Sequence, residues 1–126
     1  MNQNQTDLKL RTKQFALRII RMYSKLQKSD TVGQVLGKQA LRSGTSVGAN
    51  YREASRGRSK AEFISKIGDS LKEIAETEYW LELLLDSGRI SSQKLAALLD
   101  ENRQLIAIFT TIDKNSKRNA LRKAEG

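Results

Sequence analysis

The chain of 126 residues contains no cysteine, no histidine and no proline. Without cysteine it has no disulfide framework and no thiolate chemistry, which fits a reducing, cytoplasmic setting. Without histidine it lacks the usual general base and the commonest metal ligand. A proline-free chain of this length suits a few long helices and argues against a loop-rich β fold. No apolar run is long enough to span a bilayer. The opening MNQNQTDLK has no apolar signal-peptide core, so an unexported protein is expected.

What is abundant is positive charge, and it is unevenly spread. The formal net charge is +9, yet residues 9–66 carry fourteen Lys/Arg against three acids. Residues 67–113 reverse this, with four against nine, and residues 114–126 return to five against one. A basic half beside an acidic half points to a polyanionic partner more strongly than the total does. A charged, solvated surface is the plainer explanation.

Apolar residues recur at helical spacing throughout. A helix is predicted over about 6–28, with Leu8, Phe15, Ile19, Met22 and Leu26 on one face and Leu10, Leu17 and Ile20 on the other. The second, about 32–56, opens on a Thr31-Val32-Gly33-Gln34 capping box. Its inner face runs Val32, Leu36, Ala40, Ser43, Val47 and Ala54. Gly33, Gly37, Gly44 and Gly48 lie between and suggest close packing, since each costs about 1 kcal/mol against Ala in a helix interior. Gly57 should end this helix with a positive φ.

The third helix, about 60–87, starts on a Ser59–Glu62 capping box. Phe63, Ile64, Ile67, Leu71, Ile74, Ala75, Leu81 and Leu85 make its inner stripe, with Glu78 in the middle and Trp80, Leu83 and Leu84 pointing away. Gly88 ends it. The fourth, about 92–115, is capped by Ser91 and stapled by Ile90 onto Leu95. Residues 116–126 should form a mobile basic tail. Four such helices with short connections predict one all-α domain over 1–126, an antiparallel up-down-up-down four-helix bundle.

Catalysis is not expected, and no catalytic, cofactor or metal residue is assigned. Glu78 falls level with Asn102 of the fourth helix, either as a carboxylate pocket or, as favoured here, as a buried pair fixing register. A Glu-x-x-His di-iron site cannot occur without histidine. Gly44 to Gly48 resembles a phosphate loop only in composition, for it lies inside a helix.

Nucleic-acid contact is assigned to two basic sites. One is the corner of Arg52, Arg56, Arg58 and Lys60, beside a helix start whose free N–H groups attract phosphate. Pairing of Arg52 or Arg56 with Glu53 is the plainer alternative there. The other is the stripe Arg11, Arg18 and Lys25, with Arg21 alongside. Tyr51 is the sole aromatic interleaved with these cations, which favours recognition of the backbone over stacking on bases. Leu10, Leu17, Ile20, Trp80, Leu83 and Leu84 form second-face strips that predict self-association, and a ring would pool weak phosphate contacts.

Arg42, the run SVGANYREA from Ser46 to Ala54, RSKAEF from Arg58 to Phe63 and SLKE from Ser70 to Glu73 resemble the 23S rRNA intervening-sequence protein family, also called S23. The resemblance covers about residues 8–115. Gly48 and Ala54 stand where that family usually has proline and glycine, and Tyr51-Arg52 replaces a small apolar pair. The resemblance implies a bacterial cytoplasmic four-helix bundle assembling as a homopentamer, similar in fold to the accessory protein of diversity-generating retroelements. The function expected is thus a non-enzymatic, oligomeric nucleic-acid-binding bundle with RNA favoured. The alternative is a scaffold docking an acidic protein such as a polymerase or reverse transcriptase.

Overall fold

A step of three, then four, between buried positions builds the helices. The computed structural model describes residues 7–125. Four helices occupy them: α1 (Leu8–Ser24), α2 (Thr31–Ser55), α3 (Lys60–Asp86) and α4 (Ser92–Glu125). In α1 the buried residues are Leu8, Thr12, Phe15, Ile19 and Met22. In α3 they are Ile67, Ser70, Ile74, Thr77, Leu81 and Leu84. This seven-residue rhythm is that of left-handed bundle packing at shallow crossing angles.

The helices run antiparallel in chain order. Tyr23 Oη donates to Gln34 Oε1 at one end of the α1–α2 pair, while Arg52 reaches the Lys9 carbonyl at the other. Ser70 Oγ donates to the Val47 carbonyl at 2.9 Å and Thr77 Oγ1 to Ser43 Oγ at 2.8 Å, setting α3 against α2. Arg103 of α4 bonds Glu78 and Glu82 of α3. The pairing of α1 with α4 closes the bundle and is its loosest seam.

The glycines of α2 are explained by α1. A Cβ added at Gly37 would stand 2.4 Å from Leu26 Cδ1, at Gly44 2.9 Å from Ile19 Cγ1, and at Gly48 3.0 Å from Thr12 Oγ1. Their bare backbone therefore forms the groove that receives α1. The lost helix propensity is offset by burial of Ile19 and Leu26.

Several expectations are corrected. The α1 helix stops at Ser24, not residue 28, although Leu26 in the turn is still buried; Thr6, where its start was expected, lies outside the described residues. The cap of α2 is Asp30, whose carboxylate accepts from the Gly33 N–H, not Thr31. Among the described residues only Gly88 takes a positive φ, +71°. It closes α3 in a Schellman arrangement, with Gly88 N–H to the Leu85 carbonyl and Arg89 N–H to that of Leu84. Gly57 keeps a negative φ; its value is room, because a Cβ there would come within 3.1 Å of the Ala54 carbonyl oxygen.

The expected tail is not a tail: α4 continues as helix to Glu125. Residues 114–125 contain no glycine or proline, and Lys117 pairs with Asp113 one turn back at 3.0 Å. Val32, expected inside, is 51% exposed. Leu84, assigned to an outward strip, is fully buried, whereas Ala75 is exposed. The inward side of α3 is rotated because polar Ser70 and Thr77, each hydrogen-bonded, fill core positions.

Candidate nucleic-acid interface

Antiparallel order gathers three chain segments at one end of the bundle: the start of α1, the α2–α3 corner and the last turns of α4. Arg52, Arg56, Arg58 and Lys60 are all exposed there. The α4 helix passes the corner, since Gly57, Arg58, Ser59, Lys60, Ser116 and Asn119 line one hollow of about 320 Å³. Beyond it α4 adds Arg118, Arg122 and Lys123, all exposed. A helix of 34 residues is about 50 Å long, twice the length of α1, so this last stretch extends the basic end.

Glu53 and Glu62 lie beside this charge without forming ion pairs to the corner arginines. Glu53, the expected partner of Arg52 or Arg56, is taken by Lys66 at 2.9 Å. That contact raises the Lys66 pKa above its ordinary value, chiefly through the hydrogen bond to Glu53. Glu62 folds back over the start of α3, accepting from the Arg58 N–H at 2.7 Å, while Ser59 Oγ accepts from the Glu62 N–H. The helix start is thus partly filled by its own carboxylate, and the side-chain cations carry most of the corner's attraction for anions. Among the described residues, none of Arg56, Arg58, Lys60, Arg118, Arg122 and Lys123 forms an ion pair. Tyr51 is half-buried and packs in a T-shaped pair with Phe109 at 5.9 Å.

The stripe on α1 divides. Arg11 is held by both oxygens of Glu101, at 2.8 and 2.9 Å, and by Gln104. The Glu101 hydrogen bond raises the Arg11 pKa against the opposing effect of burial. Arg11 is therefore a clamp between α1 and α4. Arg18, Arg21 and Lys25 lie toward the other end and line a separate groove along the α1–α4 seam.

The supposed pair of Glu78 and Asn102 does not form. Glu78 sits at the margin of α3, with Arg103 at 2.9 Å, while Asn102 is fully buried with neither amide atom hydrogen-bonded. The rotation of α3 that put Thr77 in the core turned Glu78 out. Of the outward strips, Leu10, Leu17 and Ile20 are 47%, 40% and 42% exposed. Trp80 and Leu83 are half-buried, and Tyr79, which sequence reasoning passed over, is exposed against Trp80 at 5.2 Å.

The fold and its surface define a class first, an antiparallel four-helix bundle with one basic end. Residues 5–111 match the family model of the 23S rRNA-intervening sequence protein, and the chain belongs to that family. It is similar to a crystal structure of a protein with unknown function from the S23 ribosomal protein family of Bacteroides thetaiotaomicron VPI-5482. The two are 38% identical with a TM-score of 0.80, over 88% of this chain and 98% of that one. Among curated proteins, none matches. No helix among the described residues is long and apolar enough to cross a membrane.

Proposed function

We propose that this protein is a non-enzymatic, cytoplasmic nucleic-acid-binding bundle that holds the phosphate backbone, RNA in particular, on its basic end. The observation that carries this reading is the set of unpaired cations from the α2–α3 corner and the end of α4, with Glu53 bridged to Lys66 and Glu62 folded onto the Arg58 N–H. Arginine forks match phosphate oxygens in pairs, and the lack of a fully exposed aromatic at this end favours shape and backbone over base identity.

Self-association multiplies such contacts. The α1 strip of Leu10, Leu17 and Ile20 and the Trp80–Leu83 region of α3 sit on helices that share little contact. Two different patches on separate helices suit a head-to-tail contact, which closes into a ring; a homopentamer is the size proposed. Every copy then points its basic end the same way.

The test is binding of a labelled RNA by the purified chain. Arg56→Gln with Arg58→Gln should weaken binding and reduce its salt slope by about 0.7 for each lost single-strand phosphate contact. Unchanged affinity in that variant would overturn the proposal. The same cations suit an acidic protein such as a polymerase or reverse transcriptase, which is recognised by capture that survives nuclease and is lost in the same variant.

A further inference from the structure

The α1–α4 seam holds a second basic site whose chemistry differs from that of the basic end. Arg18, Arg21 and Lys25 of α1 face Lys94 of α4 across a groove of about 400 Å³, and no carboxylate lines it. Its floor is aliphatic, formed by Met22, Ile90, Leu95 and Leu98. The volume is that of a small-molecule site. Among the described residues none of the four cations is ion-paired. Lys25 and Lys94 line the same groove, and the nearness of Lys94 lowers the Lys25 pKa. Four cations around a groove with no carboxylate in its lining favour an anion there.

A nucleic-acid backbone has no use for the aliphatic floor. The groove also lacks an aromatic ring for stacking. Two arginines and two lysines along one groove favour a phosphate dianion over a single carboxylate. We propose that the α1–α4 groove binds a small amphipathic phosphate monoester, its hydrocarbon body on Met22, Leu95 and Leu98 and its phosphate among Arg18, Arg21, Lys25 and Lys94. The site is independent of the basic end: it flanks the second half of α1, whereas Arg52 reaches the carbonyl of Lys9 at its start.

Calorimetric titration of the full chain with octyl phosphate, inorganic phosphate, octanoate and octanol, all below micelle-forming concentrations, tests this. Octyl phosphate should bind at least about tenfold more tightly than each of the other three, because only it uses both the floor and the full charge. Lys94→Glu should weaken it by about tenfold or more. Ala97→Glu, at an exposed position on the groove wall, should do the same without lowering thermal stability, which separates lost binding from lost folding. Arg56→Gln with Arg58→Gln should leave octyl phosphate binding unchanged, so failure of RNA binding and failure of this site are read separately. Octyl phosphate binding no tighter than inorganic phosphate or octanol, or surviving Lys94→Glu, would overturn the inference. So would an assembly that Lys94→Glu dissociates and that does not bind octyl phosphate, since the occupant is then a second copy of the chain.

Discussion

Asn102 is the residue whose role is least explained by its surroundings. It is fully buried in α4 among leucines, with both amide atoms unpaired. A buried polar group without a partner costs about 1–3 kcal/mol, so Asn102→Leu, which keeps the branched four-atom side chain, should raise stability by up to about that amount. Thermal unfolding checks this; a destabilised variant would mean that the amide has a partner in the assembled protein. Asp30 makes the opposite case. Its carboxylate caps α2 at Gly33 and bonds Arg89 at 2.7 Å, and these two contacts, the backbone one first, lower its pKa. A folded-state pKa below the unfolded one contributes stability above the unfolded value that is lost as pH falls through the lowered one. Asp30→Asn should therefore lower the melting temperature near neutral pH and lose part of the decline seen as pH falls below the ordinary carboxylate range. The sequence pointed to Thr31 as this cap, because Thr-x-x-Gln matches the box pattern; the winning signal was an aspartate one residue earlier with an arginine 59 positions away to hold it.

At the scale of the helix, glycine position decides the sign of a substitution. Gly44 backs onto Ile19, so Gly44→Val overpacks the α1–α2 seam and should cost about 1–3 kcal/mol. Gly68 in α3 has open space where a Cβ would go, so Gly68→Ala should gain about 1 kcal/mol from helix propensity alone. Chemical denaturation of both variants tests the pair, and a similar effect from each would contradict the packing role given to the α2 glycines. That close approach was legible in the sequence as small residues at helical spacing. The facing of α3 was not. Its leucines and isoleucines allow more than one register, and the one adopted places Ser70 and Thr77 inside, where Val47 and Ser43 of α2 satisfy them. A pattern that counts hydroxyls as outward residues turns Leu84 out and draws Glu78 in. The continuation of α4 was missed because a lysine-rich terminus reads as disordered, although alanine, leucine, lysine and arginine are all good helix formers.

Across the whole molecule, the order of the helices converts an uneven charge pattern into a polar object. The basic corner and the basic last turns of α4, some sixty residues apart in sequence, meet at one end because α2 and α4 run the same way. Sequence reasoning found the corner but left the terminal cations aside, since their approach depends on α4 being longer than its neighbours. Removing residues 114–126 should leave the bundle folded, with a melting temperature within a few degrees, because residues 114–125 are all partly buried or exposed. RNA affinity should fall with it; an unchanged affinity would exclude these turns from the interface. The most direct measurement is the affinity of the intact chain for a labelled RNA across a salt series. The predicted result is a steep linear fall of log affinity with log salt, with a slope of about −0.7 for each single-strand phosphate neutralised, made shallower by Arg56→Gln, Arg58→Gln and Lys60→Gln together. A slope that stays flat, or an RNA that does not bind even at low salt, would contradict it.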